Sequence, residues 1–239
     1  MRRVISTFIA LLLFSVASAQ EATTTTQTIE STPIKQWTAN YTTLDVDASI
    51  RLTLIKIDKS ESPYIVYDTK GFYTSKFSAE TSGSVLKIRE RTDLKRESVT
   101  EVTVYYHTLA EIKVAKASVI CKNTLTSPLL DIIISNDSSF VAEVDVKDLM
   151  IEITGKCVVE IKGHTLYQTA SVSSAEYNAF DLETISTTVS SSHNAIARVD
   201  ATQRLEGKTA TGGKIFYKSY PEILRSYIPV FGGEISKAK

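Results

Sequence analysis

Five carboxylates, Asp131, Asp137, Asp145, Asp148 and Glu176, crowd the middle of the chain, with Lys156 among them. Two such groups facing one another across a sugar linkage can act as acid and base, and several on one face can hold calcium. In a register of about 19 residues, however, Asp137 stacks with Lys156 and Ala175, followed by His193 and Gly212. One carboxylate above one lysine reads as a surface ion pair of small worth. His107, His164 and His193 occupy three different positions of that register, so they do not converge on a metal. Gly163-His164 reads as a solvent-facing turn, and the 56 Ser and Thr residues include no Gly-x-Ser-x-Gly elbow that would activate one of them. No catalytic, cofactor-binding or metal-ligating residue is assigned.

Composition narrows the classes further. The 27 Lys and Arg balance the 27 Asp and Glu, and no block of like charge supplies the field that a nucleic acid would require. No glycine-rich phosphate loop or dinucleotide fingerprint occurs, so no cofactor is expected. Abundant Ser, Thr, Val, Ile and Tyr suit strands and polar corners.

The elements that must carry any site begin after an export signal. Arg2 and Arg3, an apolar stretch over 4–16 and the small-x-small sequence Ala17-Ser18-Ala19 read as a secretory signal peptide over residues 1–19. The apolar stretch is shorter than the roughly 20 residues of a membrane span. Residues 20–36, with EATTTTQTIEST at 21–32, read as a disordered leader. Residues 37–108 then alternate apolar and polar, as in Leu52-Thr53-Leu54-Ile55 and Val102-Thr103-Val104-Tyr105, with turns at 59–63 and 81–84, and form a less regular β region. The charged run at 89–97 reads as a solvated strand end and loop.

From Leu109 the chain repeats itself. A small residue recurs at Ala115, Ser135, Thr154, Ser173, Ser191 and Ala210, at steps of 20, 19, 19, 18 and 19 residues. Apolar residues recur one and three positions before it: Val114, Ile134, Ile153 and Val172, and Ile112, Ile132, Ile151 and Ala170. Five positions after it come Ile120, Phe140, Val159, Asn178, Ile196 and Ile215. Coils stacked at about 4.8 Å place like on like, with small residues at the corners and apolar ones inside. The fifth turn is ambiguous over 186–196, because moving its register by one residue would return Val189 to the interior. The repeats span 109–221, and 222–239 form a C-terminal cap and tail.

The series VAKAS at 114–118, ISNDS at 134–138, ITGKC at 153–157, VSSAE at 172–176 and ATGGKIFYKSYP at 210–221 resembles the repeated small-residue turns of one family. That family is the putative auto-transporter adhesin, head GIN domain, of secreted proteins from Gram-negative bacteria. The stretches 41–57 and 104–116 resemble it too, so the likeness runs from about 37 to 221. Lys116, Asn136 and Ser174 stand where glycine is common, and Ser219 where glycine usually precedes the final proline, here Pro221. The resemblance implies an all-β, right-handed, single-stranded parallel β-helix. It also implies a non-enzymatic interaction module in the periplasm or at the cell surface, partnered by an envelope glycan or protein. A glycan-active lyase or hydrolase on the same scaffold is the alternative.

Tyr217, Tyr220 and Tyr227 gather near the C-terminal end, where aromatic rings with a polar edge suit sugars and protein interfaces. The same segment could instead cap the open end of the coil. Cys121 and Cys157 lie close to two turns apart, about 9–10 Å along the axis, beyond the roughly 7 Å limit for a bridge, and are expected as buried free thiols. Export makes its own prediction: mass spectrometry of the secreted chain gives an N-terminus at Gln20 with no lipid, and an intact Met1 would refute it.

Overall fold

The computed structural model describes residues 32–70, 76–91, 98–229 and 231–239. The signal peptide, most of the leader and the charged positions 92–97 lie outside them. Strand follows strand: β1 (Ile34–Trp37), β2 (Thr43–Asp47), β3 (Ile50–Lys56), β4 (Tyr64–Asp68), β5 (Phe77–Ser82), β6 (Val85–Glu90) and β7 (Thr100–Tyr106). The repeats supply β8 (Glu111–Ala115), β9 (Ser118–Cys121), β10 (Leu125–Ser135), β11 (Ser139–Thr154), β12 (Val158–Ser173), β13 (Glu176–Ala179) and β14 (Leu182–Ser192). The stack closes with β15 (Ile196–Val199), β16 (Arg204–Thr209), β17 (Lys214–Tyr217), β18 (Ile223–Tyr227) and β19 (Glu234–Lys237). The result is an all-β solenoid of about seven coils joined to a more irregular N-terminal sheet.

Period-two alternation produces this arrangement because each coil buries one side of every strand against the same hollow. One inward column runs Leu44, Ile112, Ile132, Ile151, Ala170 and Val189. Another runs Val102, Leu52, Val119, Phe140, Val159, Tyr177, Ala197 and Ile215. All of these side chains are buried. A third column, Leu130, Leu149, Gln168, Thr187 and Leu205, turns polar halfway. The buried Gln168 amide donates to Tyr177 Oη, and Thr187 Oγ1 donates to Gln168 Oε1 at 3.2 Å, so the interruption is hydrogen-bonded internally.

Three features differ from the sequence reading. The fifth turn takes the alternative register, in which Ser173 pairs with Ser192, Val172 with Ser191 and Ala170 with Val189. The corner column therefore contains Ser192, and the shortened step falls one coil later, where Ser191 pairs with Thr209. In the column five positions on, Ile120, Asn178 and Ile196 give way inside to Val119, Tyr177 and Ala197, leaving Ile120 47% exposed.

The second difference is topological. β2 and β3 belong to the solenoid, parallel and in register between the β6–β7 layer below and the β8–β9 layer above. The chain thus makes one coil, leaves through the antiparallel strands β4 and β5, makes the layer beneath, and returns above the first. Ile34–Trp37, expected at the leader's end, pairs antiparallel with β4.

The third concerns the corners. Thr154 is exposed and Ala115, Ser135, Ser173, Ser192 and Ala210 are half-buried, so exclusion of bulk is not the main demand at this column. The demand falls one residue later, where Lys116 (φ 64°), Asn136 (φ 55°), Gly155 (φ 72°), Ser174 (φ 55°), His193 (φ 52°) and Thr211 (φ 48°) are left-handed. Asn136 N–H donates to Thr154 O and Gly155 N–H to Ser173 O, so the bend itself is stacked and bonded from coil to coil. Lys116, Asn136 and Ser174 adopt the glycine conformation without being glycine.

Cys121 and Cys157 are free. Cys157 is buried and its thiol donates to Gly155 O at 3.0 Å. Cys121 is half-buried against the core, where loss of solvent pushes its thiol up to about 12. Three outcomes follow. Ser174→Gly stabilises the protein by about 1 kcal/mol in urea unfolding, because the left-handed strain of a β-carbon disappears. Gly163→Ala, which would put a methyl 2.1 Å from Val144 O at φ 111°, destabilises it by roughly 3 kcal/mol; equal effects would contradict this corner geometry. Thiol titration of denatured, unreduced protein finds both cysteines, while the native protein reacts slowly at pH 8; a denatured count of zero would mean a bridge.

Candidate functional site

A third side of four successive coils is built by Leu125, Val144, Gly163 and Leu182 and the residues that follow each of them. Gly163 lets the backbone pass close to Val144. The chain then bends inward at Val146, Thr165 and Thr184, whose side chains are buried. Thr165 Oγ1 donates to Tyr167 O at 3.0 Å, and Thr184 Oγ1 donates to Asp200 O at 2.7 Å, so hydroxyls take up backbone carbonyls at the bend. Stacking this concave corner over successive coils makes a groove of about 760 Å³ along the solenoid, within the usual ligand-pocket range.

Its two walls differ in chemistry. One wall is the row Thr126, Asp145, His164 and Glu183, each in register with the next. His164 Nδ1 lies 3.0 Å from Glu183 Oε2, both well exposed. Beside this row Glu143 accepts from Lys162 at 3.0 Å and from Thr124 Oγ1 at 3.1 Å. Those bonds, that to Lys162 first, hold the Glu143 carboxyl below its ordinary range. The other wall presents Pro128, Lys147, Leu166 and Ile185, with Leu166 42% exposed. A ligand in the groove would therefore meet the row of charges on one flank and, apart from Lys147, hydrocarbon on the other.

The carboxylates singled out in the sequence are scattered. Only Asp145 lines the groove. Asp131 stands between Glu111 and Met150 on another side, Asp148 sits between Leu129 and Tyr167, and Glu176 faces Arg198 at 3.6 Å. Asp137 and Lys156 share the corner, where Asp137 N–H donates to Gly155 O and Lys156 N–H to Ser174 O, while Ala175 is buried. Among the described residues no group of three His, Cys, Asp or Glu is placed to hold a metal ion. His107 Nε2 lies 2.8 Å from Glu61 O, and His193 Nδ1 lies 3.1 Å from Ser173 Oγ, each far from His164 in register.

The C-terminal tyrosines separate. Tyr217 is buried under the last coils and touches Tyr220 edge-on with ring centroids 6.0 Å apart. Tyr220 and Tyr227 are 73% and 60% exposed and lie beside Lys237 and Lys208. Instead of folding across the end as a cap, Ile223–Tyr227 and Glu234–Lys237 add another parallel coil to β16 and β17.

A further cluster, with Trp37 exposed and Tyr64 and Tyr105 half-buried, lies at the N-terminal end. Trp37, Tyr64 and Tyr105 stand side by side on β1, β4 and β7. Tyr64 and Tyr105 stack at 4.1 Å, Trp37 meets Tyr64 edge-on at 5.2 Å, and the Lys35 ammonium lies 4.0 Å and 3.7 Å from the centroids of Trp37 and Tyr64. These residues are brought together by antiparallel pairing across long stretches of chain, which no local pattern records. His164 and Glu183, by contrast, are one 19-residue step apart and could have been paired from the repeat alone.

Residues 40–221 match the family model described as putative auto-transporter adhesin, head GIN domain. Among solved structures, a putative adhesin from Bacteroides fragilis NCTC 9343 is similar over 87% of this chain and 97% of its own, with 14% identity and a TM-score of 0.75. A putative adhesin from Parabacteroides merdae ATCC 43184 covers 87% and 96%, with 16% identity and a TM-score of 0.68. A putative lipid binding protein from Parabacteroides distasonis ATCC 8503 covers 87% and 97%, with 17% identity and a TM-score of 0.66. At these identities the likeness is one of fold. Comparison with curated proteins finds no match.

Proposed function

The chain belongs to the putative auto-transporter adhesin, head GIN domain, family, and on that premise we propose that it is an exported, non-enzymatic solenoid that binds a glycan or protein at the cell envelope. The observation that carries this reading is the groove at the concave corner. It runs along the stacked coils, so it suits an extended partner, and it offers a charged and a largely apolar flank without a cluster of catalytic carboxylates. Tyr220 and Tyr227 at the C-terminal end, with Tyr217 beneath them, offer a second, aromatic contact surface. Residence in the periplasm or on the cell exterior accords with both the signal peptide and the family. No helix among the described residues is long and apolar enough to cross a membrane.

One observation favours the enzymatic alternative. Asp145 and Glu183 lie two ranks apart, on the order of 9–10 Å along the stack, near the upper spacing of carboxylates that invert a glycosidic centre. Both stand on the same wall with His164 between them, however, and His164 engages Glu183. That arrangement occupies the space where a scissile bond would have to sit.

A glycan and matrix-protein binding screen of the mature chain tests the reading. A saturable partner is expected, with affinity falling at least about tenfold in Leu166→Asp and Ile185→Asp, since each replaces hydrocarbon on that flank with a carboxylate. Melting temperatures should change little, because both side chains face solvent. Binding untouched by these substitutions would remove the groove from the account, and turnover of a bound glycan that is lost in Glu183→Gln would establish the enzyme instead.

A further inference from the structure

The cluster on β1, β4 and β7 has features that packing does not require. It lies on the outer face of its sheet, and Trp37, the only tryptophan in the chain, is 61% exposed. Tyr64 and Tyr105 lie nearly parallel, 17° apart, so the strands present a short stack of rings. Lys35 holds its ammonium in the angle between Trp37 and Tyr64. Among the described residues it has no carboxylate partner, and its charge is steadied by ring faces. A cation on a ring face retains an open hemisphere that attracts an anion. Trp37 alongside provides an apolar plane with a polar edge, the surface on which the C–H face of a pyranose packs.

We propose that Lys35, Trp37, Tyr64 and Tyr105 form a platform for an acidic sugar, with the ligand's carboxylate at the Lys35 ammonium and its ring against Trp37. The proposal rests on the reading of the chain as an envelope-facing binding module and names the ligand chemistry of a site distinct from the groove. Shielding of an edge strand would account for Lys35 on β1. It gives no reason for an indole left open to solvent beside an ammonium that, among the described residues, meets ring faces and no carboxylate. A neutral sugar would use the ring and leave the charge unanswered, whereas a uronic or sialic acid satisfies both.

Because Trp37 is the only indole, its emission reports on the platform directly. Mature protein titrated with polygalacturonate or with polysialic acid should show a saturable change in Trp37 fluorescence with at least one of them, and dextran, which is neutral, should give none. Lys35→Gln should weaken binding roughly tenfold, as expected for loss of one charge-assisted contact, and Lys35→Arg should restore most of it. Tyr105→Ala should weaken it comparably, and Trp37→Ala, read by calorimetry, should abolish it. Leu166→Asp in the groove should leave the fluorescence response unchanged. Three results would overturn the platform: no saturable response to either acidic glycan, an equal response to poly-glutamate, or equal affinity in Lys35→Gln. An acidic glycan that binds Trp37→Ala as tightly as the parent would overturn the platform while leaving the broader reading intact.

Discussion

Paired strand residues of the repeats stand directly above and below one another on neighbouring coils, about 4.8 Å apart. This in-register stacking is the constraint from which the rest follows. A coil alone cannot hide its inward side chains, so Ile132, Ile151 and Ala170 are stable only as a column. The same rule reaches the polar interior. Gln168 and Thr187 sit in adjacent coils and bond to one another and to Tyr177, which keeps buried polarity satisfied across the stack. It also reaches the corners, where left-handed residues recur coil after coil and their amides bond to the carbonyls of the next.

Stacking also makes the outer surface useful. On a parallel sheet a row of side chains is fixed at strand spacing, so chemistry can be laid out in lines. The row Thr126, Asp145, His164 and Glu183 is one such line, and the bend behind it converts two rows into facing walls. At the N-terminal end the pattern changes. Antiparallel strands β4 and β1 continue the sheet outward and carry Tyr64 and Trp37 into line with Tyr105. The two candidate surfaces thus arise from different parts of one architecture, the groove from the repeat and the aromatic platform from the departure from it.

What the sequence could reveal follows the same division. Small residues at near-constant steps exposed the coils over 109–221, and alternation identified the inward columns wherever Ile or Val filled them. The fifth turn was ambiguous because Ser186, Thr187, Thr188, Ser190, Ser191 and Ser192 differ little between the two faces, and only Val189 marks the inside. The insertion of β2 and β3 between later layers leaves no local trace, since their partners lie tens of residues downstream. The C-terminal segment invited a cap because its residues are apolar and aromatic. Ile223–Tyr227 instead continues the stack with every side chain exposed. Of the proposed aromatic contacts, Tyr217 proved to be interior, continuing the column of Val199.

The register of the fourth and fifth coils tests the stacking account most directly, because one residue decides which side chains face the core. Adjacent parallel strands place paired Cα atoms about 4.8 Å apart, inside the range that a disulfide bridges. In a background with Cys121→Ala and Cys157→Ala, the double variant Ser173→Cys/Ser192→Cys should oxidise in the native state. Ser173→Cys/Ser191→Cys should not, because Ser191 points inward and is 1% exposed. Rapid, quantitative bridging of the first pair alone is the result predicted here; bridging of the second pair in its place would contradict the in-register stack on which the columns, the corners and the groove all depend.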